Sequence, residues 1–118
     1  MNIFIEGNIG AGKTTLTNIL GQKFPNCCVT LEPVDQWVNL TDKQNKTLLD
    51  LFYEDIKRYS YLFQSVAFRT RIQRFSQIID NSKSQYNFFE RSIYADRYCF
   101  AENCFQSGLM NEIEWKDY

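Results

Sequence analysis

Apolar residues along this chain fall into two rhythms, short unbroken runs and longer stretches of helical period. Asn2 to Glu6 carries the run Ile-Phe-Ile and reads as a short buried strand. A glycine-rich turn, Gly7 to Gly12, separates it from a helix over Lys13 to about Gln22. Pro25 and Asn26 break that helix. Cys27 to Leu31 is a second strand, closed by Glu32-Pro33 because proline cannot donate to a central ladder. Thr41 with Gln44 matches a capping box and predicts a helix opening there, with Leu48, Leu49, Phe52 and Ile56 on its apolar side. A longer helix runs from about Arg58 to Asp80, along which Leu62, Val66, Arg69, Ile72, Phe75 and Ile79 recur at helical spacing. Asn81 to Ser84 is a polar loop, and Tyr86 to Phe89 a third strand, apolar enough to be buried. Ser92 to about Gln106 predicts a helix that stops at Gly108. Asn111 with Glu114 predicts one more helix start. Strands alternating with helices, without repeats or linkers, imply an α/β fold of three layers around a parallel sheet.

Charge narrows the partners. Thirteen basic residues against fourteen acidic ones leave a formal net charge of −1, so neither a nucleic-acid nor a membrane footprint is expected. Any phosphate binding must then come from local geometry. Cys27, Cys28, Cys99 and Cys104 fit no zinc spacing, and there is no histidine to complete one. They read as free thiols in a reducing cytosol. No apolar run is long enough to span a membrane, and the chain enters a strand directly after Met1, which leaves no room for a signal peptide. The sequons at Asn39 and Asn45 are expected to be idle, and the expected location is cytoplasmic.

Chemistry enters with the glycine-rich turn. Gly7-Asn8-Ile9-Gly10-Ala11-Gly12-Lys13-Thr14 matches G-x-x-x-x-G-K-[ST], with Thr15 following. Glycines allow the backbone to curl so that its N–H groups form an anion nest, and the next helix adds its positive end. Lys13 supplies a cation for the β- and γ-phosphates of ATP, and the Thr14 hydroxyl a ligand for Mg²⁺. Such a loop identifies a nucleotide, not a reaction. Glu32-Pro33-Val34-Asp35-Gln36-Trp37 follows the second strand, whose carboxyl end should face the same crevice. Glu32 there could take a proton from an attacking hydroxyl, and Trp37 could wall a sugar or base. Spacing alone leaves open a surface glutamate before a turn. Gln64, Ala67 and Arg71 share one helix face, which suits either a pocket with a few placed polar groups or a solvated side.

Taken together, the loop, Glu32-Pro33-Val34-x-x-Trp37, Phe63-Gln64, Glu90-Arg91-Ser92 and Asp96-Arg97-Tyr98 resemble, in order and approximate spacing, the deoxynucleoside kinase family, in its deoxycytidine and deoxyguanosine kinase branch. The resemblance covers essentially the whole chain. It implies a P-loop NTPase three-layer sandwich, and an ATP- and Mg²⁺-dependent phosphorylation of a deoxynucleoside 5′-hydroxyl. By the same resemblance Glu32 is the general base and Arg91 holds that base and the reacting oxygens. Glu90 helps to hold Mg²⁺, and Tyr53 bonds the sugar 3′-hydroxyl. Gln64 reads the base edge, while Trp37, Phe63 and Phe100 enclose the nucleoside. Arg71 and Asp96 pair beside the base, which favours deoxycytidine or purine deoxynucleosides over thymidine; a purely structural ion pair is the other reading. The resemblance also implies a homodimer. Family members are longer, so residues 1–118 are expected to be the N-terminal part of one domain, truncated after about three strands. The arginine-rich lid, the adenine loop and a carboxylate that assists Tyr53 would be missing, and the isolated chain nearly inactive. Two further readings stay open: a thymidylate kinase-like monophosphate kinase, and a non-catalytic nucleotide-binding fragment.

Overall fold

A computed structural model describes residues 1–118. Contacts divide them into two compact units, 1–32 with 71–93 and 33–70 with 94–118. The helix α4, Ile56–Asn81, contributes residues to both.

The first unit is built on three parallel strands, β1 (Asn2–Ile5), β2 (Cys27–Thr30) and β3 (Tyr86–Glu90), in the order β1-β3-β2. Phe4 pairs with Phe89, and Val29 with Phe88. Successive residues of a strand point to opposite faces, so Phe88 and Phe89 define two sides of the sheet. On one side Phe89 meets Phe4 at 5.2 Å and Phe75 of α4 at 5.1 Å between ring centroids. On the other, Phe88 meets Phe24 at 5.6 Å, at the end of α1 (Lys13–Lys23). The sheet is therefore enclosed between two helices, in the three layers that the alternation of elements implies. Close packing of α1 depends on Gly21, where a Cβ would fall 2.6 Å from the Val29 Cγ2 methyl.

Strand positions match expectation, but the burial of β1 does not. Its pattern alternates exposed and half-buried residues, whereas β3 is buried from Asn87 to Glu90. The reason is order in the sheet: β3 lies between two strands, and β1 pairs on one side only.

The second unit is helical. A short helix α2 (Val34–Asn39) begins directly after Pro33, whose fixed φ suits a helix start; the apolar pattern did not reveal it. The capping box expected at Thr41 lies six residues further on. Asp42 Oδ1 accepts from the amides of Gln44 (2.8 Å) and Lys46 (3.0 Å), which closes a turn. Asn45 adopts φ 62°, and Thr41 pairs with Thr47 in an antiparallel bridge. Thr47 then caps α3 (Leu48–Glu54) reciprocally with Asp50. These hydrogen bonds to Asp50 hold its carboxyl below the usual carboxylate range.

The stripe expected on α4 is also corrected. Val66 is buried and Ile72 and Phe75 are half-buried as that stripe predicts, but Leu62, Arg69 and Ile79 are exposed, and Ser60, Gln64, Ala67, Thr70 and Arg71 are buried instead. Trp37, Leu48, Val66 and Ala67 form one small core, with Phe63 stacked on Phe52 at 4.5 Å. Ala101, Cys104 and Met110 form another. The helix expected over Ser92 to Gln106 is three segments: α5 (Ile93–Ala95), a π-helical stretch (Asp96–Ala101) and α6 (Glu102–Gln106). Helix α7 (Glu112–Asp117) opens, as expected, on Asn111 and Glu114. All four cysteines are free thiols, and no helix is long and apolar enough to cross a membrane.

Candidate functional site

The glycine-rich loop turns tightly because Gly10 and Gly12 take φ values of 78° and 92°, a left-handed region that side chains disfavour. The Ala11 amide closes the turn on the Asn8 carbonyl at 3.1 Å, and the Lys13 ammonium folds back to the same oxygen at 2.8 Å. Gly12 sits at the N-cap of α1, where no side chain caps the first turn and no acidic residue lies within it. The helix thus presents its positive end to the loop without an internal anion. Thr14 and Thr15 are exposed at this end, and Ile9 projects outward, 80 % exposed.

Opposite the loop, within the same unit, stands an ionic cluster. Glu32, just past β2, receives Arg71 Nη2 at 2.8 Å and Arg91 Nε at 3.0 Å, both on Oε1. Arg71 also donates to the Glu90 carbonyl at 3.0 Å, and Arg91 to the Gly7 carbonyl at 3.2 Å. The two guanidiniums are buried, while the Glu32 side chain keeps 21 % of its surface. Removing one partner from a fully buried pair typically costs about 3–5 kcal/mol, and this partly buried cluster contributes to the fold in the same way. Glu90, at the end of β3, accepts the Thr14 hydroxyl proton at 2.6 Å through Oε1 and the Glu32 amide at 3.4 Å through Oε2. A cleft of about 340 Å³ runs between these groups, lined by Ile9, Gly10, Gly12, Lys13, Thr14, Glu32, Glu90 and Arg91.

Two residues that shape this cluster escaped the sequence reading. Arg74 donates to the carbonyls of Leu31 and Glu32, each at 3.4 Å, and so ties down the end of β2. It lies one turn beyond Arg71, a spacing that could have flagged it. Glu6 accepts the Ser92 amide at 2.9 Å, and nothing in the apolar pattern marks it. Between Glu90 and Ser92, Arg91 holds φ 67°, rare for a residue with a side chain and costing about 1–3 kcal/mol.

The remaining expected site residues lie in the second unit. The Trp37 indole donates to the Thr70 hydroxyl at 3.1 Å and packs edge-on to Phe63, 5.3 Å between centroids. Gln64 is buried and places its amide nitrogen 3.8 Å from the Cys104 sulfur. Burial pushes the Cys104 thiol up, against the opposing hydrogen bonds of Ser60 and Gln64. Asp96 is buried and Phe100 half-buried, both in the π-helical stretch, a feature that recurs at functional sites. Tyr53 is 66 % exposed.

A parallel sheet whose first strand runs through a glycine loop into a helix, with lysine and threonine at the turn, defines a P-loop nucleotide-binding protein. More narrowly, the chain belongs to the deoxynucleoside kinase family, whose family model matches residues 3–118. It is 39 % identical to a deoxycytidine kinase of Rattus norvegicus over 132 residues, covering 98 % of this chain and 51 % of the rat protein. It is 34 % identical over 128 residues to a mitochondrial deoxyguanosine kinase of Xenopus laevis, covering 97 % of this chain and 48 % of that protein. A probable deoxycytidine kinase of fowlpox virus (strain NVSL) is 40 % identical over 116 residues, 98 % of this chain and 46 % of the viral protein. The chain thus spans about half the length of the curated relatives it matches.

Proposed function

We propose that the protein carrying this chain transfers the γ-phosphate of ATP to the 5′-hydroxyl of a deoxynucleoside. One observation carries the reading: a carboxylate, Glu32, is clamped by two buried arginines in the cleft that the phosphate loop also lines. Both arginines bind Oε1, so Oε2 is the oxygen we assign to take the hydroxyl proton as the nucleophile forms. Arg91 orients that base and, with Lys13, offers positive charge to oxygens that gain charge during transfer. The backbone from Gly7 to Gly12 and the first turn of α1, with Thr14 and Thr15, bind the phosphates.

Magnesium fits the donor set. Mg²⁺ favours hard oxygen ligands and is commonly held by one or two protein oxygens together with phosphates and water. The Thr14 hydroxyl and Glu90 carboxylate adjoin at 2.6 Å beside the loop, and they are the residues that would hold it. When bound, the ion would neutralise phosphate charge.

For the nucleoside we assign Gln64 to the base edge, Trp37, Phe63 and Phe100 to its faces, and Tyr53 to the sugar 3′-hydroxyl. The support is the family's motif pattern, together with the burial of Gln64 and the packing of buried Trp37 against Phe63. Arg71 and Asp96 are assigned to base selection, favouring deoxycytidine or purine deoxynucleosides over thymidine. A cytoplasmic, homodimeric enzyme without nucleic-acid or membrane partners completes the proposal, supported by the family resemblance, the four free thiols and the near-neutral charge.

An ATP-dependent assay offering deoxynucleosides and their monophosphates in parallel tests this. Phosphorylation of deoxynucleosides, with deoxycytidine or a purine outcompeting thymidine, is expected. Preference for monophosphates would overturn the acceptor, and preference for thymidine the base assignment.

A further inference from the structure

Beside the phosphate loop the chain carries an acidic residue, Glu6, where an anion-binding site gains nothing from negative charge. Its carboxylate takes a specific partner, the Ser92 amide at 2.9 Å. That contact completes a seam. The Arg91 amide donates to the Ile5 carbonyl at 2.9 Å as the last rung between β1 and β3. At Arg91 the backbone leaves the strand at φ 67°, so the next amide, that of Ser92, turns away from ladder geometry. The Glu6 side chain meets it there. From the same corner the Arg91 side chain reaches back to the Gly7 carbonyl at 3.2 Å and to Glu32 at 3.0 Å. Residues 5, 6 and 7 therefore each hold one part of the 91–92 corner, and only Glu6 does so with a side chain.

We propose that Glu6 is a positioning residue: by accepting the Ser92 amide it holds Arg91 in its left-handed conformation and so sets the guanidinium on Glu32. The kinetic consequence rests on the roles proposed above for Glu32 and Arg91; the structural one does not. Hydrogen bonding and charge separate cleanly at this position. Glu6→Gln removes the charge but keeps an acceptor oxygen, and Glu6→Ala removes both. A carboxylate acting only through its field would make the two variants alike.

The first readout is water exchange of the Arg91 Nε–H, followed by NMR in the full-length protein that carries this chain and assigned with Arg91→Lys. Wild type and Glu6→Gln should show a protected signal, and Glu6→Ala at least about tenfold faster exchange. Equal protection in Glu6→Ala and wild type, or equal loss in both variants, would overturn the proposal. Should Glu6→Ala melt too early for NMR, thermal unfolding in the Arg91→Gly background decides, because glycine tolerates positive φ unaided. The loss of Tm from Glu6→Ala must then be smaller than in the Arg91 background; an undiminished loss would show that Glu6 does not support that conformation. In catalytically active protein, Glu6→Ala should lower kcat by about 10- to 100-fold, with nucleoside KM nearly constant and Glu6→Gln largely restoring turnover. Loosened Arg91 with unchanged kcat would leave the positioning role standing and overturn the reading of Arg91 in phosphoryl transfer.

Discussion

Glu32 is both fixed and accessible. Its carboxylate keeps partial solvent access while two guanidiniums fix one of its oxygens. The base that we propose Glu32 to be must be held still and yet reach its proton, and this arrangement allows both. Replacing it by glutamine keeps the shape and an acceptor oxygen but removes the proposed base. Glu32→Gln should therefore retain nucleoside binding by calorimetry and lose about 10²–10⁴-fold in turnover. A loss below about threefold would assign the proton to another group. Spacing alone left Glu32 open as a surface glutamate, and only the family motif singled it out, whereas every residue of the phosphate loop was visible, because glycine, lysine and threonine at fixed spacing state their chemistry directly. Glu6 was not visible, and Arg74 was marked only by its spacing from Arg71. Their contribution lies in backbone groups they bind, Ser92 N–H and the carbonyls of Leu31 and Glu32, and no pattern of side chains encodes which amide will turn inward.

At the scale of elements, the placement of α1 on β2 turns on one missing side chain. Alanine at position 21 would by itself favour the helix by about 1 kcal/mol. Its Cβ would meet the Val29 methyl at 2.6 Å, and overpacking of this kind costs about 1–3 kcal/mol. The steric term should win, since a strand valine has little rotamer freedom to yield. Gly21→Ala is expected to lower Tm, and in a Val29→Ala background the same change should be neutral or stabilising. Thermal unfolding of the four proteins checks this, and a stabilising Gly21→Ala in the natural background would refute it. Element boundaries were legible wherever punctuation was strong, as at Gly12, Pro25 and Gly108. They failed at Thr41 because Asp42, by taking two amides into a turn, moves the helix start six residues on, to Thr47. The apolar stripe on α4 misled for a related reason. Its inward face is largely polar, with Ser60 and Thr70 hydroxyls satisfied by carbonyls of their own helix, and a hydrophobicity count has no means of recognising such a face.

Across the whole chain, the sheet has an open side at β1. Met1 and Ile5 carbonyls accept from Asn87 and Arg91, so odd-numbered residues face β3 and the backbone groups of Asn2 and Phe4 point away. Phe4, Leu16 and Ile19 are 38 %, 48 % and 45 % exposed in the same unit. An apolar strand with an unpaired edge is a template for another chain. The 118-residue chain should therefore self-associate as concentration rises from micromolar towards millimolar. Light scattering gives the state of association. Hydrogen exchange locates it, since amides of Asn2 and Phe4 should gain protection with concentration while those of Ile3 and Ile5 stay protected throughout. A monodisperse chain over that range, with Asn2 and Phe4 exchanging freely, would show the edge to be adequately shielded.

The sharing of Glu32 Oε1 by Arg71 and Arg91 has an evolutionary consequence. Under the proposed roles, Arg71 serves substrate choice and Arg91 serves the reaction, yet both act on a single oxygen atom. Drift at position 71 towards a new nucleobase then perturbs the base in the same step, and the two traits cannot be selected independently. Epistasis is the expected signature: the effects of changing Arg71 and Arg91 together should depart from the sum of the single changes. A lineage changing its preferred nucleoside would first need a substitute anchor for Glu32, and Arg74, already tied to the carbonyl of that glutamate, is the neighbour from which such an anchor could be recruited.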